Sequence, residues 1–256
     1  MRFDADLTAC AALVEKGDPD RFAAAMASPV AARRVLFPLY AFNVEVSRAP
    51  WVTQEPMIAE MRLQWWRDAL EEIGTGAVVR RHEVVTPLAS IIDAEGAKVL
   101  DRLVAARRWD IYKDAFEDAG HFESYLNETA AGLMWVAARA LGVTDTGGEG
   151  AIRKLGRATG LARFLQAVPA LEAQGRIPLV DGRAEAISLL AQTMQADCPS
   201  AREVKSILTK TARPAMTEAF LTNPVLSQIA KEPQRVADDA IAVHPLRRSY
   251  LLWKWS

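Results

Sequence analysis

Histidine and cysteine are scarce in this chain. Its 256 residues hold three histidines, His82, His121 and His244, and two cysteines, Cys10 and Cys198. The histidines form no HxxxH or HExxH pattern and the cysteines are far apart in sequence, which argues against a histidine or thiolate metal site. Two thiols without a close partner fit a reducing compartment. Charge of one sign is also lacking. With 31 basic and 32 acidic residues the net charge is −1, which gives no overall attraction to nucleic acid. No apolar run reaches the ~18 residues of a membrane-spanning helix. The opening MRFDADLTAC carries Asp4 and Asp6 where a secretory or transit leader would be apolar or acid-poor. The expectation is a cytoplasmic protein, with peripheral contact at the inner membrane left open. Strand patterning is missing too: residues 77–79 and 84–85 are the β-leaning runs, and both are short and flanked by charge. Repeats and low-complexity linkers are absent, so a single domain over 1–256 is expected.

What the chain has is apolar helix. Half of it is hydrophobic. Residues 5–16 read as a helix stopped at Gly17, after which Asp18 caps a second with Pro19 in its first turn. Residues 33–73, RRVLFPLYAFNVEVSRAPWVTQEPMIAEMRLQWWRDALEEI, read as two helices joined near Pro56 and packed antiparallel. Leu63, Trp66, Leu70 and Ile73 recur at helical spacing and should share one buried face. A helix over 87–110 should loosen near Glu95 and Gly96. One over 122–141 follows, then a polar turn over 144–150 and an apolar helix over 152–171. Residues 184–196, 200–222, 225–230 and 233–256 supply the remainder. Helix-length runs joined by short loops argue an all-α bundle around a shared interior.

Four stretches together resemble the squalene/phytoene synthase family. They are RRVLFPLYAFNVEV at 33–46, LQWWRDAL at 63–70, RRWDIYKDAF with YLNETAAGLMWVAARALG across 107–142, and the run from Gly160 to the GRIPL ending at Leu179. The resemblance covers roughly residues 20–180, with weaker likeness beyond. It implies an isoprenoid-synthase-like bundle around a central cavity, with 33–73 and 122–171 lining it. In that family two isoprenoid diphosphates are joined head to head, and Mg²⁺ neutralises a leaving group of about three negative charges. Paired aspartates in a DxxxD pattern hold the metal, because residues four apart share one face of a helix.

The resemblance places those pairs at Ser47 and Trp51 and at Ala167 and Leu171. None is an acid. Glu45 and Glu172 lie nearby, but an offset of one or two residues turns a side chain ~100–200° around the helix. Pro169 should disturb the second helix. The expectation is therefore a chain without the aspartate-rich motifs, non-catalytic and needing no cofactor. Asp110, Asp114 and Asp118 have the four-residue spacing and are the rival metal site; Asp68 with Glu72 reads as a surface face. Magnesium enters only under the alternative reading, an active prenyl-coupling enzyme with a rearranged site. A transferase or hydrolase of other chemistry in the same cavity stays open as a third.

Tyr40, Arg48, Asp110, Gly132, Gly160, Arg163, Phe164 and Arg176 are the ligand-binding candidates. Gly132, Leu133, Gly160, Leu161 and Phe164 should give the cavity small or apolar walls. An isoprenoid or acyl lipid is the expected guest, and arginine can hold its anionic head without metal. The run LYAFNVEV, the EP pair and MRLQWWRD resemble a branch of the family implicated in assembly of respiratory complex I, which implies an assembly partner. The C-terminal LRRSYLLWKWS mixes basic and aromatic residues, which suits a membrane surface or the last helix of the bundle.

Overall fold

The structure is a computed structural model and describes residues 4–53, 55–143 and 146–256. The polar turn read over 144–150 begins outside them. Fourteen α-helices are assigned among the described residues, and no strand. Four lead the chain: α1 (Ala5–Gly17), α2 (Pro19–Met26), α3 (Val30–Arg48) and α4 (Pro56–Thr75). Next come α5 (Val85–Ala89), α6 (Ala94–Ala106), α7 (Ala119–Leu126), α8 (Gly132–Ala140) and α9 (Glu149–Ala173). The last are α10 (Ala184–Asp197), α11 (Ala201–Ile207), α12 (Thr222–Lys231), α13 (Gln234–Ala237) and α14 (Pro245–Trp255).

The helix starts follow local chemistry. Asp4 accepts the N–H of Leu7, and Asp18 accepts that of Arg21 with Pro19 next to it, so orphan donors of two first turns are met. Gly76, at φ 71°, ends α4 in the left-handed conformation that glycine adopts without strain. The break in 87–110 lies earlier than expected. Asp93 accepts the N–H of Gly96, so Gly96 sits in the first turn of α6 rather than in a gap. Two C-terminal runs are divided. After α11 the backbone is extended at Leu208, and helix resumes as a 3₁₀ run, Arg213–Leu221. Asp239, at φ 51°, and Pro245 separate α13 from α14.

Pro169 does not interrupt α9, which runs on to Ala173. It lies near the helix end, where the lost N–H and the clash with the preceding turn concern few remaining bonds. The helix expected over 122–141 runs from α7 into α8 through one π turn, Asn127–Ala131. That turn brings the backbone of 130–131 against α9. A Cβ on Gly156 would lie 2.5 Å from the Cα of Ala131, and one on Gly160 would lie 2.5 Å from the Cβ of Ala130. These glycines serve close helix contact.

Two apolar cores result. The larger centres on α3, with Leu36, Phe37, Leu39, Tyr40 and Phe42 fully buried. Leu63, Trp66 and Leu70 of α4 join it and Ile73 packs at its edge. Phe42 meets Trp66 edge to face at 5.3 Å. Yet α4 lies chiefly along α6, tied by the Arg67 to Asp101 fork at 2.7 and 3.1 Å, so the expected α3–α4 pairing is a minor contact. The smaller core stacks Trp109, Phe116, Phe122, Tyr125 and Phe164 near the start of α7 and the middle of α9.

Candidate functional site

The C-terminal half of α3, the middle of α9 and the α7–π segment converge on a cavity of about 340 Å³. That is at the lower end of the ~300–1,000 Å³ of ligand pockets. Ser47, Trp51, Ala167 and Leu171 all line it, so the four positions singled out on separate segments meet in space. Trp51 and Ala167 are exposed at its rim. Gly160, Phe164, Arg48, Arg163 and Asp110 also line it.

Other candidates fall elsewhere. Tyr40 is fully buried in the larger core and does not reach the wall. A Cβ on Gly132 would meet Val99 of α6 at 3.2 Å, which places it behind the wall. Leu133 and Leu161 belong to the two cores. Helix α4 contributes nothing to this cavity; Pro56 and Ala59 instead border a neighbouring one of about 630 Å³, which shares Trp51 and Asp110 with the first. Arg176 borders that second space and not the first. Its guanidinium lies 4.9 Å from the ring centre of Trp51 and 5.0 Å from that of Trp109, and donates to the carbonyls of Trp109 and Asp110. Two cation–π contacts and two backbone acceptors commit this arginine to holding Trp51 in place.

Asp110 is buried and fully engaged. Arg107 donates to Oδ2 at 3.1 Å and the Tyr125 hydroxyl to Oδ1 at 2.9 Å, while Arg107 also donates to Tyr125 at 2.7 Å. Burial pushes the Tyr125 hydroxyl well above its ordinary pKa, so it stays a donor. The spacing of Asp110, Asp114 and Asp118 does not make a cluster. The chain between them is irregular, Asp114 is exposed, and Asp118 caps α7 through the N–H of His121. Asp68 accepts from Gln64 and Glu72 forks onto Arg80, so that pair also diverges.

A second charged group sits where α2, α9 and the 3₁₀ run meet. Arg21 donates to Glu218 at 2.5 Å and to Asp18 at 2.9 Å; Arg163 donates to Asp18 at 2.7 Å and lies 3.8 Å from Glu218. Arg21 and Arg163 line the cavity. Burial alone would raise the Asp18 carboxyl, but Arg163, Arg21 and the Arg21 N–H outweigh it and hold it at about 2. One oxygen of Glu218 and the Tyr40 hydroxyl are buried with no protein partner. Burial, then Glu218, keeps that tyrosine protonated. Arg48 pairs loosely with Glu45 at 3.6 Å on the rim. Sequence reasoning missed Arg21 and Glu218. The signal for Glu218 is an acid inside the apolar run AMTEAF, since acids are almost never buried unless paired.

Comparison with known proteins fits this geometry. The chain is 34% identical over 167 residues to "NADH dehydrogenase (ubiquinone) complex I, assembly factor 6 homolog" of Drosophila melanogaster, covering 62% of this chain and 50% of that protein. It is 24% identical over 172 residues to the corresponding assembly factor 6 of Homo sapiens, covering 62% and 48%. The chain thus spans about half the length of the curated relatives it matches. Among solved structures it superposes on a dehydrosqualene synthase in complex with ligand at TM-score 0.76 and 16% identity, over 98% of this chain and 95% of the other. A squalene synthase from Alicyclobacillus acidocaldarius follows at TM-score 0.72 and 17% identity, over 90% and 94%; these two likenesses concern the fold. The squalene/phytoene synthase family pattern matches residues 14–248, and the chain belongs to that family.

Proposed function

We propose that this chain is a non-catalytic member of its family, that its cavity holds the apolar chain of an isoprenoid or acyl lipid without metal, and that it serves assembly of respiratory complex I. One observation carries the first part. Ser47, Trp51, Ala167 and Leu171 line a single cavity at the positions where the family resemblance places metal-binding carboxylates, and none bears one. Magnesium needs several oxygen donors in near-octahedral array. Here the Ser47 hydroxyl donates to the Val44 carbonyl, and both oxygens of Asp110 are engaged by Arg107 and Tyr125. These residues do not fit the ion that a departing diphosphate requires. Leu126, Phe164, Leu171 and Trp51 offer an apolar wall instead, and pockets of this kind draw affinity from buried apolar area. The assembly role is supported by the Drosophila and human relatives, whose names carry that function.

The test has three arms. With farnesyl or geranylgeranyl diphosphate and Mg²⁺, the purified protein should release no pyrophosphate above a blank; steady turnover to a coupled isoprenoid overturns the reading. A lipid extract of the purified protein should contain an isoprenoid or acyl lipid, and Ala167→Phe, which fills the cavity from its exposed rim, should deplete it. A wild-type protein that comes out empty removes the lipid part. Deleting the gene in its host should lower assembled complex I on native gels, and an unchanged amount removes the assembly part.

A further inference from the structure

Helix α14 has two faces, and one has no task in the bundle. Inward, Trp255 is buried and Leu251 and Leu252 pack against the larger core. Arg248 pairs with Asp20, its guanidinium 5.5 Å from the Phe220 ring centre, and Lys205 donates to the Lys254 carbonyl at 3.0 Å. These contacts fix the rotation of the helix. At ~100° per residue, Leu246, Tyr250 and Trp253 then fall on one line facing outward, where they are 77%, 56% and 73% exposed. The rings of Tyr250 and Trp253 lie 6.1 Å apart. Arg247 and Lys254 lie together along one side of that line and are exposed, and no acid occurs from Pro245 to Ser256. None of these residues lines the cavity.

We infer that this outer face of α14 docks flat on an anionic lipid surface. Tyrosine and tryptophan pair an apolar ring with a polar tip, which matches the depth of the headgroups. Arg247 and Lys254 lie beside the apolar line, where their stems run along it and their charges reach outward to anionic headgroups. No side chain of the helix itself repels those headgroups, and the acid paired with it, Asp20, is held on its inward side by Arg248. A stable protein interface buries ~800 Å² on each partner. One line of three side chains on an eleven-residue helix falls short of that, yet suffices for shallow, reversible insertion. The inference is independent of what the cavity holds.

Co-sedimentation of the full chain with vesicles tests it, using phosphatidylglycerol–phosphatidylcholine mixtures against phosphatidylcholine alone. The wild type should pellet with the anionic vesicles and be released by salt. The double substitution Arg247→Gln with Lys254→Gln should weaken partitioning on the order of 30-fold, from ~1 kcal/mol per cation. The triple substitution Leu246→Ser, Tyr250→Ser and Trp253→Ser should abolish binding while leaving the thermal unfolding curve unchanged, since all three side chains are exposed. A wild type that stays in the supernatant with both vesicle types, or a triple variant that binds like the wild type, overturns the inference.

Discussion

Asp18 shows how much one side chain carries. It caps α2, pairs with Arg21 and Arg163, and sits largely buried. Its folded pKa of about 2 lies below the ordinary 3.8. A depressed carboxyl gives stability that is fully present above the unfolded value and is lost as pH falls through the folded one. The shift corresponds to about 2 kcal/mol. Chemical denaturation should therefore show a constant contribution from Asp18 above about pH 5 and a loss between about pH 4 and 2. Asp18→Asn should be less stable at neutral pH and have a shallower acid slope; an unchanged slope would refute the assignment. Tyr40 gives the opposite expectation. Its buried hydroxyl has no protein partner, so Tyr40→Phe removes a desolvated polar group and should leave stability unchanged or raise it by about 1 kcal/mol. A melting temperature several degrees lower would show that the hydroxyl has a partner in solution. The cap at Asp18 is legible in the sequence because Pro19 follows it. Its ion pairs are not, because Arg163 is 145 residues away and Glu218 is 197 from Arg21.

Between α7 and α9 the contact is set by two glycines and a π turn. Gly156→Ala would drive a methyl to 2.5 Å from the Ala131 Cα, and backbone cannot yield as a flexible side chain does. A loss of about 1–3 kcal/mol is expected in urea unfolding. Gly150, at the start of the same helix, has nothing within 4 Å of its would-be Cβ, so Gly150→Ala should gain about 0.5–1 kcal/mol from helix propensity. Equal effects at the two sites would mean that the close approach is not what fixes Gly156. Apolar periodicity finds these helices because it depends only on which residues are buried. It does not show the π turn, because one inserted residue leaves the apolar pattern nearly intact while turning Leu126, Thr129 and Ala130 toward the cavity. It also misplaces the start of α6, where the capping bond from Asp93 outweighs the helix-weakening tendency of Gly96.

The bundle as a whole is legible from the order of four family stretches and the lack of strand patterning. The cavity is legible only in part. Ser47, Trp51, Ala167 and Leu171 line one cavity, but α4 turns to α6, and Gly132 and Arg176 are spent on packing. Which face of a helix meets which neighbour depends on side-chain volumes across the whole interior, and spacing within one helix does not encode it. Trp51 divides two spaces of about 340 and 630 Å³. Trp51→Ala should join them, and mass spectrometry of lipid carried through purification should show longer chains than in the wild type. An unchanged lipid profile would mean that Trp51 is not the partition.

The pairing of every arginine in that wall has a consequence for selectivity. Arg21, Arg48, Arg107 and Arg163 each already face a carboxylate, so the cavity lining is close to electrically balanced before any guest arrives. A diphosphate entering would give up part of its hydration without meeting surplus positive charge, which is costly. An alcohol or ketone terminus asks only for single hydrogen bonds. In a competition read by native mass spectrometry, farnesol should be retained at least as well as farnesyl diphosphate, and a clear preference for the diphosphate would refute this balance.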